Sequence, residues 1–279
     1  MNKLLKTKLI VMTMTMTMTM TMTMALAACS GKETAPPAPA PAPAASAPTA
    51  AAKSASVVKV GVSAEYRPYA FAENNNAQGL EIDILQKIAD KQGFTVEFVP
   101  TLWNVAYKEV QDKKIDIVAM GTAQDEADAN IVVPTDSYMR SGDCLVHIKE
   151  TTLPDWTKGK IGVLNDEGME EELMSANNVK ESQIMKEQTN FLILSSLVKK
   201  STDVAVGDCT ALKFYAKSPT LKDYSFDIAE YVHSSQQEAS MSMVLMVSKD
   251  KPELLQKINT GLAELKKSGE LNQIIQKYM

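Results

Sequence analysis

The sequence predicts an α/β protein with largely parallel sheets, carried behind a secretory leader and an extended tether. Three observations predict it. From about Val57 onward, short β-branched runs alternate with amphipathic stretches of helical period. The first 28 residues run from basic to apolar to small. Between the two, residues 30–56 are mostly Ala, Pro and Ser, with almost nothing to bury.

The leader alternates methionine and threonine from Met12 to Met24. Alternation alone suggests a strand with one apolar face, but the flanks favour another reading. Lys3, Lys6 and Lys8 precede the tract without an acid, and Leu26-Ala27-Ala28-Cys29 follows it. A basic, an apolar and a small-residue region in that order make a signal peptide, residues 1–28. Methionine is a good helix former, and threonine dilutes the apolarity below that of a permanent span. A retained transmembrane helix would want a second basic flank, which is missing. Leu-Ala-Ala-Cys resembles the lipobox of bacterial lipoproteins. The resemblance implies cleavage before Cys29, diacylation of its thiol and membrane attachment through lipid alone, each buried methylene contributing roughly 0.8 kcal/mol. Ser30 implies outer-membrane sorting in a Gram-negative cell. The tether, with its Ala-Pro alternation, favours extended polyproline II at roughly 3.1 Å per residue.

Net charge is −5, and losing the three leader lysines takes it to −8. Such a surface suits neither nucleic acid nor anionic lipid. The only arginines are Arg67 and Arg140. Cys144 and Cys209 are compatible with a disulfide in an oxidising compartment, but their spacing in sequence does not decide it.

The elements follow in order. "VVKVGVS" (57–63) reads as a strand and "NNNAQG" (74–79) as a turn. "LEIDILQKIADKQG" is a helix with Ile82, Ile84, Leu85 and Ile88 on its apolar side and Gly93 as its stop. "FTVEFV" has strand period, "WNVAYKEVQDKK" is a short helix, and "IDIVAM" is a buried strand. "KIGVLN" (160–165) opens a second run: a helix near 168–176, a strand near "SQIMK", a helix near 190–199 and the strand "DVAVGD". "SMVLMV" is another buried strand. Two helices close the chain, the first with Pro252 early and Gly269 after its end.

Seven segments of this run, "VKVGVSAEYRPYAF", "GLEIDIL", "KKIDIVAMG", "TDSYM", "KGKIGVL", "DVAVGD" and "SGELNQIIQKYM", resemble in order and spacing the type 2 periplasmic solute-binding proteins of the polar amino acid ABC transporter family. The resemblance covers nearly all of 57–279. It implies two α/β lobes joined by two crossing strands. Lobe 1 would be 57–143 with 244–279 and lobe 2 would be 148–238, with crossings near Cys144–His147 and Ala239–Met243. It also implies a monomeric receptor that hands a small solute to an ABC permease, without cofactor or metal.

Residue by residue, the resemblance places an aromatic ligand wall at Tyr66, a second at Trp103, ligand contact at Gly121, and an acceptor for the ligand's amino group at Asp208. Aromatic faces and a carboxylate together hold an ammonium by cation–π attraction and ion pairing. Tyr66 and Trp103 are equally compatible with core packing, and Asp208 with a helix N-cap. The departure is at Asp128, which stands where the family carries the arginine that clamps the ligand's carboxylate. The second lobe's anion loop reads "NDEGMEEE", with Asp166 and Glu167. A carboxylate beside these acids is repelled unless Arg67 or Arg140 substitutes; the acidic loop is also compatible with a solvated face. The expectation is therefore an extracytoplasmic lipoprotein in the cell envelope that binds an amino acid or amine-bearing solute in a non-standard pocket. The alternative, drawn from Ser30 and the long tether, is a surface adhesin or sensor that has kept the fold and lost transport. No nucleophile–base pair stands out, and His147 and His233 lack metal-ligand spacing, so an enzyme is not expected.

Overall fold

The computed structural model describes residues 56–151, 155–165, 167–232 and 237–279. The leader, Cys29, the tether, Asp166 and His233 lie outside the described residues. Two sheets carry two lobes. The first lobe begins with β1 (Val57–Val62), then a small antiparallel sheet of β2 (Glu65–Tyr66), β3 (Ala70–Glu73) and β4 (Asn76–Gln78), then α1 (Leu80–Gln92), β5 (Thr95–Pro100), α2 (Trp103–Gln111) and β6 (Ile117–Ala123). Short strands β7 (Val132–Pro134) and β8 (Met139–Arg140) lead out of it. The second lobe holds β9 (Asp143–Ile148), β10 (Ile161–Leu164), α3 (Glu167–Asn177), β11 (Ile184–Glu187), α4 (Asn190–Val198), β12 (Val204–Asp208), α5 (Cys209–Ala216) and β13 (Phe226–Glu230). The chain returns through α6 (Glu238–Met241) to β14 (Ser242–Ser248) and ends on α7 (Pro252–Ser268) and α8 (Glu270–Tyr278).

The strand orders are β5-β1-β6-β14-β7, with β8 also on β14, and β11-β10-β12-β9-β13. In each sheet the βα units pair in parallel, while the strands entering from the other lobe pair antiparallel. This is the two-lobed α/β fold the resemblance implies. The return to the first lobe comes before the expected 239–243, because α6 already packs against β6. The first crossing needs correcting too. Residues 144–147 lie inside β9, which bonds to β12 and β13 along its length. The passage between sheets is therefore at Ser141–Gly142, and Asp143 already belongs to the second sheet.

Helical period sorts the first core. Ile82, Ile84, Leu85 and Ile88 are all buried, packing α1 on one face of the first sheet with α7 and α8, while Ala106 and Val110 of α2 cover the other. Gly261 lets α7 approach α1 closely: a Cβ there would lie 2.6 Å from Ile88 Cγ2. Because both faces are covered, Met243–Val247 of β14 is buried at five consecutive positions. Gly93 ends α1 in the left-handed region, φ +69°, returning its N–H to Ala89. The expected turn at 74–79 is tighter than read. Asn74 and Asn75 both have positive φ and form a two-residue hairpin loop, so 76–78 is strand.

The second lobe packs α4 and α5 on one face of its sheet and α3 on the other. There Cys144 and Cys209 form a disulfide with Cα atoms 4.8 Å apart, tying β9 to the first turn of α5. Closing a span of 65 residues restricts the unfolded chain by about 4 kcal/mol in the loop-entropy picture. Replacing both cysteines by serine is expected to lower the unfolding free energy by about 2–4 kcal/mol, read from urea midpoints with and without reductant. A midpoint insensitive to both would show that the bridge holds nothing.

Candidate ligand-binding cleft

A cleft of about 260 Å³ opens between the two sheets. Lobe 1 contributes Tyr66, Gly121, Ala123, Asp125, Glu126 and Met243; the first crossing contributes Ser141 and Gly142, and the return Ser240. Lobe 2 contributes Asp143, Leu164, Met169, Asn190, Val206, Gly207 and Asp208. Four carboxylates face this space, two from each lobe. Among the described residues that line it, none is Lys, Arg or His.

The aromatic wall is built on a glycine. Tyr66 and Tyr69 stack with ring centroids 5.2 Å apart and planes 23° off parallel. They rest on Gly121, whose φ is +68°. A Cβ there would sit 2.6 Å from Tyr66 Cε1 and 2.8 Å from Tyr69 Cδ2, so a side chain would displace both rings as well as strain the backbone. Beneath, the Gly121 N–H donates to Glu81 Oε2 at 3.0 Å, and the Tyr138 hydroxyl donates to Oε1 at 2.8 Å. Glu81 is fully buried on the first turn of α1. Burial pushes its carboxyl up to about 7, against the pull of those two donors.

Asp208 stands at the junction of the lobes. Its Oδ1 accepts the Ala211 N–H at 2.7 Å, capping α5. Its Oδ2 accepts the Ser141 hydroxyl at 2.7 Å and, from lobe 1, the Tyr69 hydroxyl at 3.0 Å. Ser141 and Thr210 share a further hydroxyl contact at 2.8 Å. Burial raises the Asp208 carboxyl above its ordinary value, while these donors pull it back. Burial also drives the Tyr69 phenol well up, so it acts as a neutral donor.

Of the residues named from sequence, the structure brings Tyr66, Gly121 and Asp208 to one cleft and leaves two outside its lining. Trp103 starts α2 half exposed, its ring tilted against Tyr107 at 6.0 Å. Asp128 turns back on its own loop: Oδ1 accepts the main-chain N–H and side-chain amide of Asn130 at 2.9 and 3.1 Å. The arginines are engaged elsewhere. Arg67 lies 3.8 Å from the Phe71 ring centroid, and Arg140 pairs with Glu230 at 3.2 Å and Glu238 at 3.7 Å. Sequence reasoning missed Tyr69, Glu81, Asp125, Glu126, Ser141 and Asp143. Asp125 and Glu126 stand in the same acidic run as Asp128 and carried the same signal.

Residues 58–279 match the family described as bacterial extracellular solute-binding proteins, family 3. The chain belongs to this family. A probable histidine-binding protein of Campylobacter jejuni is 24% identical over 226 residues, covering 79% of this chain and 84% of that one. A cyclohexadienyl dehydratase of Pseudomonas aeruginosa is 22% identical over 173 residues, 58% of this chain and 63% of that one. Among solved structures, an ancestral arginine-binding protein bound to glutamine superposes with a TM-score of 0.61 at 26% identity, covering 80% of this chain and 97% of that one. No helix among the described residues of this family member is long and apolar enough to cross a membrane.

Glu81 gives a pH prediction. Its folded carboxyl binds a proton more tightly than the unfolded one, so folding takes up a proton between the ordinary 4.5 and about 7. Stability therefore falls as pH rises through that window. Glu81→Gln keeps the shape and removes the titration. Relative to wild type, it is expected to gain on the order of 3 kcal/mol between about pH 4.5 and about 7.5, measured by urea unfolding at each pH. Parallel pH profiles for the two proteins would contradict this.

Proposed function

We propose that this protein is the extracytoplasmic receptor of an ABC importer for an amino acid or amine that carries positive charge. The observation that carries the reading is the charge of the cleft: Asp125 and Glu126 face Asp143 and Asp208 with no basic lining residue among those described. A solute that brings a cation into this space offsets four like charges that closure draws together. Tyr66 offers its ring to the same cation. Where the solute has a carboxylate, the buried Asn190 amide at the start of α4 is a neutral partner for it, helped by that helix terminus. Asp128 and Trp103 take second place in this reading, Trp103 as a rim residue. Two of the three named relatives are described as a probable histidine-binding protein and as an arginine-binding protein, the latter holding glutamine, which supports an amino acid and is compatible with a cationic one. Most such relatives are binding proteins, which supports binding without turnover even though one is a dehydratase.

The receptor acts as a monomer held to the cell envelope by lipid on Cys29, with the Ala/Pro-rich segment as spacer, and docks on a permease. Calorimetry with L-arginine, L-histidine, L-glutamine and L-glutamate tests the charge. The cationic ligands are expected to bind at least tenfold tighter than L-glutamine, and L-glutamate not at all; tight L-glutamate binding would refute the reading. For the anchor, Cys29→Ser is expected to release the protein from the membrane fraction or to block processing. A variant that fractionates and is processed like wild type would rule out lipid attachment.

A further inference from the structure

One buried acid stands directly behind the cleft wall. Glu81 is fully buried, and its Oε2 accepts the N–H of Gly121, which lines the cleft. Its carboxylate is thus one peptide unit away from the solute's space. Gly121 in turn carries both tyrosine rings, which lie 2.6 and 2.8 Å from where its Cβ would be. The Tyr69 carbonyl also accepts the Glu81 N–H at 3.0 Å. The acid and the aromatic wall are therefore built as one unit.

Both groups bonded to the carboxylate are donors: the Gly121 amide at one oxygen, the Tyr138 hydroxyl at the other. That suits an ionised carboxylate, which only accepts. A protonated one carries an O–H of its own. The amide cannot accept it, so the Tyr138 hydroxyl would have to turn round and give up its own bond. The bond to Gly121 weakens as well, because a charged acceptor holds an N–H about twice as strongly as a neutral one. The ionisable groups beside Glu81 are Tyr138 and Tyr69, with Asp208 of β12 acting on both. Strands β4, β6 and β14 carry none, and the buried residues of α7 are apolar. The remaining charges are engaged or turned outward. Asp83 and Lys91 of α1 meet Lys277 and Glu270 of α8, Lys266 of α7 bonds the Ser137 carbonyl, Glu73 of β3 pairs with Arg67, and Glu97 of β5 is exposed.

We propose that Glu81 is a positioning residue for the solute: its charge, acting through the Gly121 amide, fixes the tyrosine wall, and a cation seated against that wall drives the proton of Glu81 out to bulk water. The second half rests on the reading of a positively charged solute given above. Burial pushes the carboxyl up to about 7, so both of its forms are populated near neutral pH. A nearby cation favours the ionised form, and by linkage the ionised form favours the cation by the same factor. Uptake of the solute and release of the proton are then coupled, and affinity falls as pH falls below about 7.

Two arms test this. In the first, the ligand-free full chain, labelled with ¹⁵N and with ¹³C in its tyrosine rings, is followed by NMR across neutral pH. In wild type the Gly121 amide proton is expected to shift downfield with a midpoint at about pH 7, and the Tyr66 and Tyr69 ring signals to move with the same midpoint. In Glu81→Gln, which keeps the shape, all three are expected to stay flat. An amide that does not titrate in wild type, that titrates equally in the variant, or that titrates while the rings stay still overturns the positioning role. In the second arm, L-arginine binding is measured by calorimetry at about pH 7 in buffers of different ionisation enthalpy. Wild type is expected to release about half a proton more per solute than Glu81→Gln. Equal release overturns the coupling. Where folded Glu81→Gln does not bind, the same half proton is required of wild type alone. If wild type itself fails to bind L-arginine, the reading of the solute and the expelled proton fall together, and the first arm still decides whether Glu81 fixes the wall.

Discussion

The carboxylate of Asp208 is the constraint around which the two lobes are arranged. It is a charge taken largely out of water, and such a charge survives only with donors pointed at it. Here they come from three places: the first turn of α5, the passage at Ser141 and the Tyr69 hydroxyl of the other lobe. The Cys144–Cys209 bridge holds the strand beside Asp208 and the helix it caps in fixed relation. The result is a polar knot at the base of the cleft. Each lobe has an apolar core of its own, but the knot draws on both.

The same economy shapes the wall. Gly121 is where a strand passes so close under two tyrosine rings that no side chain fits. Its amide is held by Glu81, an acid buried without a cation among its bonded partners. Charge without nearby cations recurs through the interior of the cleft. Buried acids grouped in a cleft mark a candidate binding site. The cleft thus has stacked tyrosine rings in its wall and carboxylates from both lobes in its lining.

Much of the frame was legible in the sequence. The apolar period of α1, its Gly93 stop and the unbroken apolar run of β14 each report burial on a known number of faces, and the structure agrees. The small β2-β3-β4 sheet was not legible, because its strands are two to four residues long and half polar. Of the residues named from the resemblance, Tyr66, Gly121 and Asp208 line the cleft. Asp128 does not: with Asn130 two residues on, it closes a local turn instead of reaching inward. That local chemistry was readable and was outweighed by alignment to the clamp. Tyr69 was beyond reading, since its hydroxyl matters only through a partner 139 residues away. Asp143 was lost to a boundary: with the crossing read too late, it passed as the end of lobe 1.

The polar knot depends on the Tyr69–Asp208 hydrogen bond across the lobes. A double-mutant cycle measures this directly: Tyr69→Phe in the wild-type and in the Asp208→Ala background, by urea unfolding of the ligand-free chain. Hydrogen bonds to a charged group contribute about 1.5–3 kcal/mol, so Tyr69→Phe is expected to cost about that much when Asp208 is present and almost nothing when it is absent. An equal cost in both backgrounds would contradict the knot, and with it the claim that the chain's own donors keep Asp208 occupied.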